Sequence, residues 1–279
     1  MPELPEVETI RQSLLPVLLG QEIQQVFIYQ PVVLASQNIE EFLALTGFII
    51  VDIKRRGKYL IFYLQKGEER FCLVAHMRMT GKLLWHTQPQ PLEKHSHVEF
   101  RFVAGGQLIF QDVRRFGRLW LVKPAELNCV SGLRDLALEP LDIAFTLEYW
   151  QEKLSRHPKA MIKAVLLDQH VVAGLGNIYA DEVLFAAKVH PQRPAGTLTK
   201  GEQKDLWQAM QDVLQQAIAL RGTSFRDYVD GNQEKGSYQD FLQCFMREGK
   251  PCPRCGALIQ RMKVVGRSSY FCPHCQQKP

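Results

Sequence analysis

Three groups of residues in this chain are of the right types, at the right spacings, to do chemistry. The first is the opening, Met1-Pro2-Glu3-Leu4-Pro5-Glu6-Val7-Glu8-Thr9. Met1 precedes a small residue, so processing is expected to remove it and leave Pro2 with a free secondary amine. An α-amino group titrates near pH ~8, well below a lysine amine, and is partly unprotonated at neutral pH. Its attack on an aldehyde-level carbon gives an iminium, a cation able to act as an electron sink. Glu3 and Glu6 stand three apart and share a face if a helix begins here. One suits a general acid and the other an anchor for the amine. Acidic residues also favour helix N-termini through the dipole, which is the simpler reading of Glu8.

The second group is Cys252-x2-Cys255-x16-Cys272-x2-Cys275. Two CxxC pairs at this separation match a zinc ribbon, four thiolates around one structural Zn2+. So small a unit cannot bury a sufficient core, and the metal supplies its folding energy. A redox dithiol pair is the weaker alternative for two matched pairs. Cys72, Cys129 and Cys244 complete an odd count of seven, which argues against a disulfide framework.

The third group is basic. Lys54-Arg55-Arg56-Gly57-Lys58 places four cations in five positions; a solvated edge accounts for Lys54 and Arg55. From position 240 onward, seven Lys/Arg face two acidic residues, an excess equal to the whole chain's net charge of +5. Residues 1–239 therefore balance, and the basic surplus sits in one small C-terminal unit, as expected for a polyanion-binding surface. Arg261, Lys263 and Arg267 lie between the cysteine pairs, where a hairpin is expected.

The elements that must position these groups follow from periodicity. Leu4, Val7, Leu14 and Leu18 recur at helical spacing, with Pro5 suited to a first turn, and the helix should end near Gly20. Eight short β-runs follow, at 23–29, 48–54, 59–64, 72–77, 81–85, 97–103, 107–111 and 118–122, the signature of a sandwich or barrel. From Leu147 the text turns helical, with segments at 160–168, 179–187 and 200–220. The expected fold class is α+β: an N-terminal β-sandwich domain with a leading helix over 1–130, a linker over 131–148, a helical domain over 149–240 and a zinc-ribbon finger over 241–279. With 279 residues, a hydrophobic share of 46% and no apolar run near the ~20 residues of a membrane span, the chain reads as globular. Its acidic opening is unlike a signal or transit peptide, so a cytoplasmic location is expected.

The opening string resembles that of the bacterial formamidopyrimidine-DNA glycosylases, and the resemblance runs to the last cysteine. It implies a bifunctional glycosylase and lyase that flips an oxidised purine from duplex DNA. Pro2 would attack C1′ of the deoxyribose while Glu3 protonates the ring oxygen, and successive β- and δ-elimination would cut both sides of the site. Glu6 would support the terminus, and Lys58 would contact the phosphate beside the target sugar. Gly174-Leu175-Gly176-Asn177 resembles the family's helix–two-turn–helix, which implies a phosphate contact by Asn177; as a residue type it also suits the cap of the following helix. Lys159 and Arg267 fall on further phosphate contacts. His76-Met77-Arg78-Met79 and Asp112-Val113-Arg114-Arg115-Phe116-Gly117 resemble loops that fill the hole left by the everted base: Met79 occupies the gap, Arg114 reads the orphaned cytosine, beside it Arg115, and Phe116 wedges the stack. Core packing is the plainer account of a lone Met or Phe. The polar segment 222–238, ending in Tyr238, corresponds to a base-capture loop. The implied partner is damaged double-stranded DNA, bound by a monomer with no role for a membrane. Two other readings stay open at this point: an endonuclease VIII-type enzyme acting on oxidised pyrimidines, and a non-catalytic zinc-ribbon DNA-binding protein.

Overall fold

The computed structural model describes residues 2–36, 38–225 and 228–278. The chain forms two compact units, Met1–Arg134 with Arg221–Ser237, and Asp135–Leu220 with Tyr238–Pro279.

The first unit opens with helix α1, Leu4–Leu18. Pro5 sits in its first turn, where a missing N–H costs nothing. Leu4, Val7, Ile10, Leu14 and Leu18 are buried along one face. Pro16 lacks the N–H that would reach back one turn, and the helix runs only two residues further. Strand β1 (Ile23–Ile28) and the short helix α2 (Ile39–Leu43) follow. Then come β2 (Ile49–Arg56), β3 (Tyr59–Lys66), β4 (Glu69–His76), β5 (Gly81–His86), β6 (Ser96–Phe102), β7 (Gln107–Asp112) and β8 (Arg118–Val122). All eight expected strands are present, several longer than their apolar cores.

These strands make two four-stranded antiparallel sheets, ordered β1-β6-β7-β5 and β2-β3-β4-β8. Alternate residues face inward, as the two-residue period of a strand requires. Leu60, Phe62 and Leu64 from β3 meet Val98, Phe100 and Phe102 from β6 in one hydrophobic cluster that also takes in Val7, Ile10 and Leu14 of α1. The β4–β5 and β7–β8 connections each cross from one sheet to the other. Because Gly81 pairs with Asp112 and His76 with Arg118, these two loops lie side by side at one end of the sandwich. The β2–β3 turn, Gly57-Lys58, is at the same end, since Leu60 pairs with Ala75.

The second unit contains α3 (Leu147–Ser155), α4 (Ile162–Leu167), α5 (Asn177–Ala186), α6 (Lys200–Ala219) and the hairpin of β9 (Gln260–Val264) with β10 (Arg267–Phe271). Thr199 caps α6 by accepting the Glu202 N–H at 3.2 Å. Val265 and Gly266 close the hairpin, both at positive φ, the requirement of a type I′ turn. For β-branched Val265 that conformation is strained. Among the described residues no helix is long and apolar enough to cross a membrane.

Candidate catalytic terminus and nucleic-acid interface

Pro2 is buried immediately ahead of α1. Glu3 and Glu6 are 3% and 2% exposed. The Glu3 backbone N–H donates to Glu6 Oε2 at 2.8 Å, so the residue that follows the candidate nucleophile is pinned by the helix it begins. Glu6 Oε1 accepts the Thr223 N–H at 2.8 Å. Tyr228 donates its hydroxyl to the Glu6 carbonyl at 3.1 Å, and the Gly231 N–H donates to Ser13 Oγ at 2.9 Å. The segment from Arg221 to Ser237 therefore lies along α1 within the first unit. At Gly222, φ is +74° and a Cβ would stand 2.8 Å from Glu6 Oε1, so only glycine permits this approach. Burial, then the nearby Glu6 charge, raises the Tyr228 phenol above its ordinary value. Met1, Arg226 and Asp227 lie outside the described residues.

The sandwich end carries the other candidates of this unit. Gly57 (φ +57°) and Lys58 form the two-residue β2–β3 turn; glycine at its first position supplies the left-handed backbone such hairpins need. Lys58 is buried. His76 is also buried, with its ring 4.5 Å from that of Tyr59, and Nδ1 accepts the Arg78 N–H at 2.9 Å. Burial, reinforced by the Arg78 and Lys58 charges, pushes the imidazole down to about 3. It is neutral at physiological pH, and with Nδ1 accepting from Arg78 its proton sits on Nε2, which is a neutral donor and not a cation.

Asp112 joins the two inter-sheet loops. Fully buried, it accepts from Thr80 Oγ1 at 2.5 Å and from the Arg114 N–H at 3.1 Å with Oδ1, and from the Gly117 N–H at 2.7 Å with Oδ2. The loops it fixes leave Met79 46% and Phe116 48% exposed. Arg114 and Arg115 are exposed as well, and the Arg114 guanidinium lies 4.6 Å over the Phe116 ring. An apolar ring and a methionine held in solvent by a buried carboxylate are not core packing; the plainer reading of Met79 and Phe116 fails here.

In the second unit, Asn177 does not cap α5. Gly176 occupies the cap position with no side-chain bond, and Asn177 is the first helical residue. Its Nδ2 donates to the Ser268 carbonyl of β10 at 2.9 Å, while Oδ1 is buried without a partner. Lys163 Nζ donates to the same carbonyl at 3.0 Å and to Asp181 Oδ1 at 2.7 Å, and Asp181 Oδ2 accepts the Tyr270 N–H at 3.0 Å. Burial raises the Asp181 carboxyl, with the Lys163 ammonium opposing it. Next to it, buried Glu182 accepts the N–H groups of Gln243, Cys244 and Phe245. Two consecutive carboxylates of α5 thus hold β10 and the segment before the ribbon. Arg267 is exposed beside the Val265–Gly266 turn, and Lys159 is exposed ahead of α4. Tyr238 is buried, its ring 5.7 Å from that of Tyr179.

The Sγ atoms of Cys252, Cys255, Cys272 and Cys275 all lie within 4.8 Å of one another. A tetrahedral Zn–S4 site with bonds of ~2.3 Å has sulfurs ~3.8 Å apart, close to the 3.9 Å of Cys252–Cys275 and the 3.4 Å of Cys255–Cys272. All seven cysteines are free. One small buried cluster of the ribbon gathers Ile259, Cys244, Cys252 and Cys272 against Phe185, and a finger of this size leans on its metal to fold. Four thiolates with no open carboxylate or water position suit a structural zinc.

Sequence reasoning passed over Asp112 as a structural organiser, although an Asp two residues before a turn N–H is a recognisable signal. It also assigned Glu8 to the helix dipole and Arg55 to solvent, whereas the two form an ion pair at 3.0 Å. The Lys163–Asp181 pair had no local signal, because its partners stand on different helices.

Comparison with known proteins covers nearly the whole chain. The formamidopyrimidine-DNA glycosylase N-terminal domain matches residues 1–119, the H2TH domain of the same glycosylase matches 136–229, and the zinc finger found in FPG and IleRS matches 249–278. The formamidopyrimidine-DNA glycosylase of Pelotomaculum thermopropionicum is 48% identical over 278 residues, covering 99% of each chain. Among solved structures, the Lactococcus lactis Fpg in complex with abasic-site DNA is 41% identical with a TM-score of 0.91, over 99% of this chain and 100% of that one. A variant of the same protein bound to Fapy-dG containing DNA gives the same values.

Proposed function

Because the chain belongs to the formamidopyrimidine-DNA glycosylase family, we propose that it is a base-excision repair enzyme that removes oxidised purines, 8-oxoguanine and formamidopyrimidines, from duplex DNA and then cuts the strand. The Pro2 amine adds to C1′, Glu3 delivers a proton to the ring oxygen, and the damaged base departs. The resulting iminium acidifies the C2′ proton, so that β-elimination expels the 3′ phosphate; loss of the C4′ proton then expels the 5′ phosphate by δ-elimination. Lys58 binds the phosphate beside the reacting sugar, with neutral His76, a donor through Nε2, close by.

The observation that carries this reading is the pinning of the terminus. Free chain ends ordinarily fray, and a frayed amine has no effective concentration at a target carbon. Here Pro2 is buried and Glu3 is held through its backbone by Glu6, which supplies the orientation that covalent catalysis needs. Met79, Arg114, Arg115 and Phe116 enter the gap left by the everted base, with Arg114 directed to the opposite cytosine. Lys159, Asn177 and Arg267 contact phosphates, and the 222–238 segment meets the extruded base, Tyr238 only through its backbone because its ring is buried against Tyr179. One zinc holds the ribbon and takes no part in the reaction. A monomer working on the nucleoid in the cytoplasm fits a substrate of damaged duplex DNA.

The test is a set of duplexes with 8-oxoguanine opposite cytosine, thymine glycol opposite adenine, and a preformed abasic site. Excision of 8-oxoguanine with nicks on both sides, and nicking of the abasic duplex, are expected. Preference for thymine glycol would move the chain to the pyrimidine class. Binding without nicking at the abasic site would leave only a DNA-binding protein.

A further inference from the structure

Arg55 and Glu8 meet between α1 and the β2–β3 hairpin. The Arg55 Nε donates to Glu8 Oε2 at 3.0 Å, and its Nη1 donates to the Gly57 carbonyl at 3.1 Å. Only 11% of the Arg55 side chain and 13% of that of Glu8 is exposed, so this is not a solvated surface pair. Glu8 also takes Arg11, through Nη2 at 2.7 Å and Nε at 3.0 Å, and Gln12 at 3.0 Å. Burial alone would raise the Glu8 carboxyl, but the Arg11 bonds and the Arg55 charge outweigh it and hold it below the ordinary carboxylate range.

The geometry points to Arg55 as a positioning residue for Lys58. The guanidinium spans two fixed points. One is a carboxylate on the helix that begins beside Pro2. The other is the carbonyl of Gly57, whose peptide bond leads directly to Lys58. A planar fork with divergent donors makes both bonds at once, which a lysine ammonium on a flexible stem does far less well. A displacement of the Lys58 amine by ~1 Å from its productive place can cost ~10²-fold in rate. The Glu8–Arg55–Gly57 bridge ties the carbonyl that precedes Lys58 to α1. This rests on the reading of Lys58 as the phosphate contact beside the reacting sugar.

The experiment uses the full chain with a free Pro2 and compares Arg55→Gln, Glu8→Gln, the double variant and Arg55→Lys. Single-turnover excision of 8-oxoguanine, affinity for a duplex carrying a tetrahydrofuran abasic analogue at several salt concentrations, and thermal unfolding are measured for each. Positioning predicts a loss of ~10–100-fold in the single-turnover rate for either single Gln variant. The double variant should be no slower than the worse single, because both act through one bridge. Any change in affinity or its salt dependence should be the same in Arg55→Gln and Glu8→Gln, because both act through the one Lys58 contact. Arg55→Lys, which keeps the charge but not the fork, should recover the unfolding temperature without recovering the rate. The proposal is overturned if Arg55→Gln lowers the salt slope by about one, as for a direct phosphate contact, while Glu8→Gln excises normally. Full recovery of rate by Arg55→Lys also overturns it. An inactive wild-type protein would instead remove the glycosylase reading; an active wild type with variants at its own rate removes only this bridge.

Discussion

The Glu6 carboxylate accepts the backbone N–H of Thr223 at 2.8 Å across 217 residues of sequence, and with its other oxygen accepts the N–H of Glu3, also at 2.8 Å. One buried side chain therefore fixes both the start of α1 and the start of the segment 221–237. Glu6→Gln offers a single oxygen to these two donors and turns an NH2 toward one of them. A buried backbone donor left unsatisfied costs ~1–3 kcal/mol. The variant should unfold at lower temperature and should exchange the Glu3 or Thr223 amide much faster than wild type. Wild-type protection at both amides would show that Glu6 does not hold these segments.

The Asp112 carboxylate stands in the same relation to the two inter-sheet loops. Arg114→Ala removes the guanidinium that we propose reads the opposite base. A mismatch at a read position typically costs ~1–3 kcal/mol, so the ratio of 8-oxoguanine excision opposite cytosine to that opposite adenine should fall. Asp112→Ala should lower the same ratio with Arg114 intact, because the loop that aims it loses the bonds from Thr80, Arg114 and Gly117. If the ratio is unchanged in Arg114→Ala, Arg115 is the next residue to test.

The parts legible in the sequence were those governed by local period and spacing. The strands announced themselves through alternation, the helices through 3–4 spacing, and the ribbon through its cysteines. What stayed hidden depends on partners distant in the chain. Glu8 at a helix N-terminus looks the same whether it serves the dipole or binds Arg55, 47 residues on. Asn177, a good cap by residue type, instead reaches Ser268, 91 residues on. The Arg221–Ser237 segment follows a long helix of the second unit, yet it packs in the first, because Gly222 and Gly231 allow its backbone to approach Glu6 and Leu14. No local pattern states that preference.

His76 gives a pH dependence of stability with a definite sign. Burial, then the Arg78 and Lys58 charges, lowers its pKa from 6.5 to about 3. Between those values the unfolded chain binds a proton that the folded chain refuses. Stability therefore falls as pH drops through 6.5 and goes on falling toward about 3, while above 6.5 His76 adds no pH dependence. His76→Gln should flatten the acid limb of the unfolding temperature against pH and leave the neutral region parallel to wild type. An acid limb of unchanged slope would mean that His76 protonates freely in the folded state.

Zinc removal should act locally. The ribbon is joined to α4 and α5 by bonds from Lys163, Asn177 and Asp181 to the Ser268 and Tyr270 backbone, while among the described residues the sandwich cluster is drawn from the first unit. Cys272→Ser, or chelation, should weaken affinity for lesion DNA strongly while circular dichroism keeps most of the secondary structure. Global unfolding, or unchanged affinity, would contradict this division.

Blocking the terminus tests the nucleophile itself. In the proposed mechanism Pro2 acts only as a free amine; any residue left in front of it turns the nitrogen into an amide, whose lone pair is delocalised into the carbonyl and cannot form an iminium. A retained Met1 or an N-terminal tag should abolish both base excision and borohydride trapping, whereas a tag after Pro279 should be tolerated. Glu3→Gln separates the two steps. It keeps the amine but loses the proposed proton donor, so excision of 8-oxoguanine should fall while nicking at a preformed abasic site partly survives. The competing nucleophile is Lys58, an amine at the sandwich end. Trapping on an abasic duplex followed by peptide mapping decides between them. Adduct on the peptide that begins at Pro2 is the expected result. Adduct on the Lys58 peptide, or undiminished trapping behind a blocked terminus, would transfer the covalent role to the hairpin and leave Pro2 as a structural residue.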